Sequence, residues 1–401
     1  MDAKRFTDAR TGDLVRAKTP APDWAFVPWP LPPKGWSFPT HLYPLLVTAR
    51  EALGTLNGIG STLKNPNLLL HPLEDREALT SSSIEGTYAT PEELLLYAQS
   101  PREPQSEHDP ANTWREVFNY RRAVRQGHDD LKAFPFSLRM IKAMHETLLQ
   151  GVRGTDKAPG EFRRIQVAVG SDRRYVPPPV PHIDSLLDNF QTYMNRPQKD
   201  DTTDSLVRCY IAHYQFEAIH PFRDGNGRIG RALLALMIAS ACKHKLPWLY
   251  LSAFFERFKD EYVEKMFRIS THGDWASWIE FCLRGTIEQA QDAIARCGKL
   301  QSLRGLYLER VNSDYGPRTF AIIDRLFDSP VITIADWSKQ GHMSYTTAKS
   351  DLEYLATKRI LEKVEKYYPA SFYAPEIFDI AYGPSGVDSA ADGDVSGGPP
   401  S

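Results

Sequence analysis

The chain has 401 residues, of which 42% are hydrophobic and 24% are charged, and its formal net charge is −2. This length allows two or three domains around a large core, and the composition is ordinary for a globular protein that folds in water. Because the charges nearly cancel, overall charge alone recruits neither nucleic acid nor an anionic membrane, and the densest apolar run, residues 232–241, is too short to span a bilayer.

The N-terminal part of the chain is predicted to begin as a strap and continue as helices. Residues 1–40 are rich in Pro and Trp, which favours an extended segment lying over the surface. A helical pattern starts at His41, and acidic residues with sparse apolar spacing predict a short helix over about residues 74–86. Gly86 stands where a C-cap glycine belongs, and Glu85 lies at the same helix end, where a negative charge is unfavourable against the helix dipole.

A hairpin is predicted between the next helices and the centre of the chain. A polar, Pro-containing loop over residues 100–112 precedes two segments with helical spacing, residues 113–126 and 138–150. Two β-prone runs then surround a Gly-Ser-Asp turn within residues 159–176, which predicts a β-hairpin. The prolines at 177–179 would end the strand pairing and leave one edge open.

An amphipathic helix over residues 204–219 leads into the most informative stretch of the chain. That stretch is His220-Pro221-Phe222-Arg223-Asp224-Gly225-Asn226-Gly227-Arg228-Ile229-Gly230-Arg231, and the apolar run 232–241 follows at once. This order predicts a loop that enters the N-terminus of a buried helix. Such a terminus carries unsatisfied N–H groups and partial positive charge, so it attracts an anion. Gly225 and Gly227 would let the backbone approach that anion closely.

Each polar residue of this loop has a chemical use if the anion is a nucleotide phosphate. Arg228 and Arg231 share a helix face, and guanidinium groups bind phosphate oxygens in pairs. Asp224 supplies a hard oxygen of the kind that binds Mg²⁺. His220 titrates near neutral pH and can take a proton from an attacking hydroxyl, which contributes about 10²–10⁴-fold to a rate. Phosphate transfer otherwise needs positioning and charge neutralisation, which suit the rest of the loop.

Helices are predicted to continue to about Leu308, and a small separate unit follows over residues 312–382. Its three short helices and two-stranded wing are predicted at residues 319–327, 334–340, 345–357, 360–364 and 371–373. A helix–turn–helix suggests DNA binding, but this unit has eight Lys and Arg residues against ten Asp and Glu residues. We therefore favour a structural or protein-docking role over DNA binding. Residues 383–401, rich in Gly, Ser, Ala, Pro and Asp, are predicted to be disordered.

The stretch from His220 to Arg231 resembles the signature of the Fic family, His-x-Phe-x-Asp/Glu-Gly-Asn-Gly-Arg-x-x-Arg, and matches every specified position. The resemblance implies a mainly α-helical Fic-type core with a β-hairpin flap over residues 111–308, after an N-terminal region over residues 1–110. It also implies transfer of AMP from ATP to Ser, Thr or Tyr hydroxyls of a target protein, with Mg²⁺ as cofactor. The related Doc branch, which phosphorylates, lacks the Gly-Asn-Gly core.

The same resemblance implies a role for each loop residue. His220 would be the base, Asp224 the Mg²⁺ ligand and Phe222 an apolar anchor. Residues 225–228 would hold the phosphates, and Arg231 would hold the γ-phosphate. ATP contacts are implied at Glu85, His220, Gly225, Asn226, Gly227, Arg228, Ile229, Gly230, Arg231 and Tyr262. The segment around Tyr262 departs from the family's Asn-Arg and Tyr-pair pattern, which leaves the identity of the nucleotide base open.

A second motif resembles the family's inhibitory helix, Ser/Thr-x-x-x-Glu-Gly/Asn, with Ser81, Glu85 and Gly86 at the matching places. The resemblance implies that Glu85 pairs with Arg231 and occupies the guanidinium that the γ-phosphate needs. ATP would then bind with its α-phosphorus displaced from in-line attack, and a small displacement can cost ~10²-fold in rate. In some family members the same Glu orients a water that removes AMP, and the sequence leaves both uses open.

Two further segments are similar to parts of the family. The hairpin over residues 159–176 resembles the flap that holds a target segment by main-chain strand addition. Residues 312–382 resemble the winged-helix domain that often follows a Fic core. The expected partners are therefore a target protein along the flap, with modification of the protein itself as a further candidate. A membrane partner is not expected, and a homo-oligomer stays open.

We expect a cytoplasmic, self-inhibited protein adenylyltransferase. No apolar signal region follows Met1, and the four cysteines show no Cys-x-x-Cys spacing, which is typical of free thiols in a reducing compartment. Two alternatives stay open: an enzyme that removes AMP from its targets through the same site, and a DNA-binding regulator whose Fic-like core senses a nucleotide.

Overall fold

The computed structural model describes residues 1–6, 11–17, 23–63, 66–152, 157–170, 173–244, 246–311, 316–364 and 371–383. The fold is mainly α-helical with small antiparallel sheets, as the sequence predicts. In the described part of the chain, no helix is long and apolar enough to cross a membrane.

Residues 12–17 and 23–28 form a pair of antiparallel strands, where the sequence predicted one extended strap. Strands β1 (Gly12–Ala17) and β2 (Asp23–Pro28) pair with Gly12 opposite Pro28. The two strands pair because proline is absent from β1 and stands only at the last position of β2. Phe26 is fully buried in a small apolar cluster with Phe6 and Phe267, which fixes the sheet to the helical core.

The remaining elements follow in chain order. The α-helices of the described residues are α1 (Tyr43–Thr62), α2 (Asn67–Ile84), α3 (Pro91–Gln99), α4 (Ala111–Ala133), α5 (Leu138–Leu148), α6 (Ile183–Met194), α7 (Ser205–Ile219), α8 (Asn226–Ala241), α9 (Ser252–Arg257), α10 (Lys259–His272), α11 (Trp275–Val311), α12 (Pro317–Asp328), α13 (Ile334–Gln340), α14 (Tyr345–Thr357) and α15 (Pro375–Tyr382). The short strands of the C-terminal part are β3 (Val331–Thr333), β4 (Glu362–Val364) and β5 (Ser371–Tyr373).

Local sequence explains where several of these helices begin. Asp204 caps α7 by accepting the Leu206 N–H at 2.8 Å, and Ser137 caps α5 by accepting the Met140 N–H at 3.2 Å. Helix α2 begins at Asn67, several residues before the start that the acidic residues from Glu74 predicted. It continues through Pro72, although proline is unfavourable inside a helix. The C-terminal end of α2 is as predicted, since Gly86 follows with φ +87°.

Helices α7 and α8 form the centre of the bundle. They pack against each other, and α8 also contacts α2, α4 and α5. Nearly every residue of α7 and of the first 14 residues of α8 is buried, including charged ones. Helices that are apolar all round belong in the interior, which explains why neither shows a solvent-facing stripe.

The predicted hairpin over residues 159–176 is not a regular two-stranded ladder. Its described residues form one isolated antiparallel bridge, between Val169 and Tyr175, and the predicted turn residues 171–172 lie outside the described part. Side chains replace the ladder hydrogen bonds, because Arg163 donates to the Ile165 carbonyl at 3.0 Å. The Val176 carbonyl is taken by the Phe26 N–H of β2 at 2.9 Å. The segment is therefore an irregular flap braced by the N-terminal sheet.

The C-terminal part contains the three predicted helices α12, α13 and α14 and an antiparallel sheet of order β3-β5-β4. It has its own apolar cluster, to which the last turns of α11 contribute. Asp351 of α14 is buried and pairs with Arg318 and Trp337, so it adds no charge to the exposed helix face that the sequence argument had counted. The relation to a winged-helix domain stays a prediction, and the boundary at residue 312 and the tail after residue 383 lie outside the described residues.

Candidate active site

The loop between α7 and α8 is closed on itself by Asn226. The Asn226 side chain accepts the Phe222 N–H at 2.8 Å and donates to the Phe222 carbonyl at 2.9 Å. His220 has φ 50° and ψ 61°, a left-handed conformation that is costly for a residue with a Cβ and is concentrated at functional sites. Gly225 has φ +73°, which glycine adopts without penalty, and it turns the chain into α8.

Phe222 anchors the loop in the apolar core, as the family resemblance implied. It is fully buried and stacks on the ring of His145, with ring centroids 3.7 Å apart and planes 7° apart. His145 accepts the Gly160 N–H at Nδ1, and Nε2 lies 3.0 Å from the Asp224 carbonyl oxygen. The first bond leaves the proton on Nε2, so His145 donates to the loop. This histidine ties α5, the flap and the loop together, and its burial lowers its pKa to about 4.

The first turn of α8 presents main-chain N–H groups that have no acceptor within the helix. Gly227 lies in this turn, and a Cβ added to it would lie 2.2 Å from Glu85 Oε1 and 2.9 Å from an Arg231 guanidinium nitrogen. The absence of a side chain at Gly227 therefore creates the space in which Glu85 and Arg231 meet. An anion at the helix N-terminus would use the same space.

Arg231 is buried and bound by the end of α2. Its Nε donates to Ser81 Oγ at 2.9 Å, and one terminal nitrogen donates to the Ser81 carbonyl at 2.8 Å and to Glu85 Oε1 at 2.7 Å. Burial tends to raise the pKa of Glu85, but the charge and hydrogen bond of Arg231 outweigh it and hold the pKa below its usual range. The structure thus brings the two sequence motifs together through Glu85 and Arg231, which are 146 positions apart in the chain.

Arg228 and Asp224 lie at the mouth of the loop. Arg228 is largely buried and lies 3.3 Å from Glu116 and 3.8 Å from Asp224. The Asp224 side chain is 46% exposed, and its Oδ1 accepts the Gly225 N–H at 2.7 Å. One exposed carboxylate beside a helix N-terminus that could hold phosphates fits Mg²⁺, which binds through one or two carboxylates and the phosphates of a substrate. The described residues include no group of three His, Cys, Asp or Glu side chains that could hold a metal by themselves.

His220 is in its neutral form near pH 7. Burial lowers its pKa to about 4, and the positive charge of Arg163 acts in the same direction. A neutral imidazole accepts a proton without first losing one, so the electrostatics of the site suit a general base.

Sequence reasoning missed Arg163, which is 2% exposed. Its guanidinium donates to the main-chain carbonyls of His220 at 2.8 Å and Pro178 at 2.6 Å, so it joins the flap to the loop. Sequence reasoning also missed Glu217, whose Oε1 is buried without a hydrogen-bond partner among the described residues. Burial raises the pKa of Glu217 to about 8. Neither residue belongs to a recognised motif. Arg163 stands next to Arg164 and looks like one of two surface arginines, and Glu217 lies in the helix before the signature.

Tyr262 lies behind Arg231 instead of in an open pocket. It is 3% exposed, its ring stacks on Phe255 at 4.4 Å, and its hydroxyl lies 2.9 Å from His213 Nε2. These contacts cover the ring, so the structure leaves no free face on which a nucleotide base could stack. The nucleotide contact at Tyr262 was implied only by the resemblance of this segment to the family's adenine pocket, and it stays a prediction for a side chain that lies in the core.

Comparison with known proteins places this geometry in a family. A model described as Fic/DOC family N-terminal matches residues 43–129, and one described as Fic/DOC family matches residues 135–238. A solved Fic family protein from Desulfovibrio desulfuricans G20 has the same fold, with a TM-score of 0.54 and 18% identity over 84% of this chain and 97% of that one. Fic-1 from C. elegans gives a TM-score of 0.50 at 20% identity over 64% of this chain and 74% of that one. At these identities the likeness is one of fold alone.

The chain belongs to the Fic/DOC family. Among curated relatives, Protein adenylyltransferase Fic of Drosophila grimshawi is 34% identical over 105 residues, which are 26% of this chain and 20% of that protein. A probable protein adenylyltransferase of Aquifex aeolicus is 28% identical over 178 residues, which are 44% of this chain and 51% of that protein. The chain thus spans between a fifth and about half of the length of these curated relatives.

Proposed function

We propose that the protein transfers AMP from ATP to a Ser, Thr or Tyr hydroxyl of a target protein, and that Glu85 inhibits this transfer. The observation that carries the proposal is the 2.7 Å contact between Glu85 and Arg231, at a helix N-terminus next to a neutral His220. A buried guanidinium beside such a terminus is suited to a phosphate, and the carboxylate now in contact with it is suited to exclude one. The adenylyltransferase names of the relatives support this reaction.

The phosphates of ATP would lie over the first turn of α8. The main chain of residues 225–228 would hold the α- and β-phosphates, with the N–H groups of residues 226–228 as donors, and Arg228 would neutralise the phosphates from the side. Arg231 would bind the γ-phosphate once Glu85 has left. This arrangement uses fixed donors and fixed charges, which need no reorganisation when negative charge develops in the transition state.

His220 would act as the base. The hydroxyl oxygen of the target attacks the α-phosphorus and its proton passes to the imidazole, while the bond between the α-phosphorus and the bridging oxygen breaks and pyrophosphate leaves. The hydrogen bond from Arg163 to the His220 carbonyl would hold the His220 backbone in its left-handed conformation and so fix the position of the ring. Pre-organisation of this kind keeps the base within reach of the hydroxyl.

Asp224 would be the protein ligand of Mg²⁺, with phosphate oxygens completing the coordination. When bound, Mg²⁺ would neutralise charge on the phosphates and on the departing pyrophosphate. The contribution of this chain is to keep the Asp224 carboxylate at the mouth of the loop, where the Gly225 N–H orients it.

Glu85 would inhibit by occupying Arg231. The carboxylate lies in the space that Gly227 leaves open, so a γ-phosphate and Glu85 cannot both reach the guanidinium. ATP could then bind only with its phosphates shifted, and misplacement by about 1 Å can cost roughly 10²-fold in rate. Ser81 would contribute to this inhibition, because its Oγ and carbonyl accept hydrogen bonds from Arg231 and orient the guanidinium towards Glu85.

The target segment would dock along the flap. Ile165 is 49% exposed although it is a large apolar residue, and Arg164 next to it is 85% exposed. These side chains lie in the segment that Arg163 ties to His220, so a bound segment would lie beside the base. Exposed segments of the protein itself are candidate acceptors as well.

The test compares the wild-type protein with Glu85→Gly, using ATP labelled at the α-phosphate, Mg²⁺ and cell lysate, with mass spectrometry to identify the transferred group. We expect the variant to transfer AMP at least about tenfold faster. Glu51→Gln, at an exposed position of α1, is the control and should behave as wild type. His220→Ala in the Glu85→Gly background should abolish transfer.

The proposal fails if folded Glu85→Gly binds no ATP in calorimetry with Mg²⁺, or binds it and transfers nothing. Release of AMP from a modified target by the wild type, without transfer by Glu85→Gly, would assign the reverse activity. Binding of duplex DNA at near-physiological salt with no transfer by any variant would assign a regulator.

A further inference from the structure

Helix α2 carries Glu85 at its C-terminal end, and the last described helix of the chain contacts α2 further back. The hydroxyl of Tyr382, the final residue of α15, donates to Asp75 Oδ2 at 3.0 Å. Asp75 is 2% exposed and its other oxygen is paired with Arg121 of α4. Burial and the charge of Asp75 raise the pKa of Tyr382 well above its usual value, so the hydroxyl stays a donor. A residue more than 300 positions later thus holds a buried carboxylate of α2.

A second connection joins the same two helices through α11. Arg76 of α2 pairs with Asp292, and Asp292 accepts a hydrogen bond from Arg296 Nε at 2.8 Å. Arg296 then donates to the Ile380 carbonyl at 2.5 Å and to the Gly383 carbonyl at 3.0 Å, which are at the end of α15. Asp292 and Arg296 are 4% and 6% exposed. Buried charged networks of this kind fix geometry, because each member loses its only partners if it moves.

Two further bonds attach the C-terminal part at the flank of α2. His71 Nδ1 lies 3.2 Å from the Asp328 carbonyl oxygen, at the end of α12. Gln99 of α3 donates to the Val331 carbonyl of β3. The C-terminal part therefore contacts the first half of α2 through the Tyr382 hydroxyl and the Asp328 main-chain carbonyl, while the last turn of α2 reaches Arg231.

We propose that Tyr382 and Arg296 are positioning residues that hold α2 where Glu85 reaches Arg231, so the C-terminal part of the chain sets the degree of inhibition. This inference rests on the proposed function, because it concerns the same Glu85–Arg231 contact. The α-helix transmits position along its axis, and Asp75 and Glu85 are about 15 Å apart along it. A hydrogen bond of 2.7 Å tolerates little displacement, so release of the first half of α2 withdraws Glu85.

The test is Tyr382→Phe, which removes one oxygen atom and keeps the ring. We expect AMP transfer to rise about threefold to tenfold, the range that corresponds to loss of one ordinary hydrogen bond. Tyr373→Phe is the matched control, because its hydroxyl donates to Glu362 of β4 at 2.9 Å in an exposed contact, and it should leave transfer unchanged. Arg296→Lys should act in the same direction as Tyr382→Phe.

Two readouts separate positioning from general destabilisation and from failure of the proposed function. In the Glu85→Gly background, Tyr382→Phe should add nothing, whereas destabilisation would lower transfer. Amide hydrogen exchange over residues 80–86 should speed up in Tyr382→Phe and not in Tyr373→Phe, and this readout needs no catalysis. Unchanged exchange in that segment overturns the inference even if Glu85→Gly is active. Inactive Glu85→Gly with faster exchange in Tyr382→Phe overturns the proposed function and leaves the contact established.

Discussion

The guanidinium of Arg163 donates from Nε to the main-chain carbonyl of His220 at 2.8 Å. The same side chain also donates to the carbonyls of Pro178 and Ile165, so one buried cation joins the flap to the loop between α7 and α8. Burial lowers the pKa of Arg163 to about 10, which still leaves it charged at neutral pH. Arg163 therefore couples the position of the flap to that of His220.

We predict that Arg163→Lys, in the Glu85→Gly background, lowers AMP transfer by at least about tenfold, because an ammonium cannot reproduce the planar fork of donors. The loss should appear mainly in kcat, since the contacts to the phosphates are intact. Arg164→Lys is the control at the neighbouring position, where the side chain is 85% exposed, and it should be neutral. Equal effects of the two substitutions would contradict a positioning role for Arg163.

The pH dependence of transfer should lack the inflection of an ordinary histidine. Burial, with the charge of Arg163, places the pKa of His220 at about 4, and the neutral ring is the active form. For Glu85→Gly, kcat/KM should be flat from pH 8 to about pH 5 and fall only as the pH approaches 4. Loss of the Glu85 carboxylate moves this pKa further down, so the direction holds in the variant. An inflection near pH 6.5, with unchanged circular dichroism, would show that His220 is not the base or is not buried in solution.

Ser81→Ala should activate the enzyme partially. It removes the acceptor of the 2.9 Å bond from Arg231 Nε but keeps Glu85 in place, so Arg231 is freed in part. We expect a rise in transfer of about tenfold or less, below that of Glu85→Gly. Ser83→Ala makes the same chemical change in the same helix turn without this contact, and it should match the wild type. If both serine variants behave alike, Ser81 does not hold Arg231.

Stability should fall as the pH drops below the ordinary histidine range. Burial lowers the pKa of His145 to about 4 and that of His213 to about 3, so the folded state resists protonation while the unfolded chain takes up protons from about pH 6.5. Each histidine should lower the free energy of unfolding by up to about 1.4 kcal/mol per pH unit in this window. Urea unfolding of wild type and His145→Gln between pH 8 and 5 measures this, and the variant should show the shallower slope. Parallel slopes would mean that His145 is not buried in the neutral form.

The sequence was sufficient for elements whose signals are local. Helix α7 was predicted within a residue because Asp204 is a strong cap and the apolar spacing is regular. The loop before α8 was predicted from its glycines, which favour a turn at a helix N-terminus. Its closure by the Asn226 side chain is seen only in the structure. The proximity of Glu85 and Arg231 came from two motifs that resemble one family, not from any periodicity.

Features that depend on distant partners were beyond this reasoning. Nothing in the local pattern shows that Arg163 is buried, because its acceptors are carbonyl groups of the flap and the loop. The prediction of a regular hairpin was wrong for the same reason. The Arg163 side chain binds the Ile165 carbonyl and the Phe26 N–H of β2 binds the Val176 carbonyl. The contact of Tyr382 with Asp75 joins residues that are 307 positions apart, and no local sequence pattern predicts it.

Helix α11 is 37 residues long, about 55 Å, and it belongs to two apolar clusters. Ala290, Ala293 and Cys297 pack in the central cluster, and Leu303 and Tyr307 pack in the C-terminal one. Helix formation is cooperative, so melting of one half of α11 weakens the adjoining turns of the other half. The two clusters should therefore lose their structure together on heating, in a single calorimetric transition, although each has a complete apolar interior.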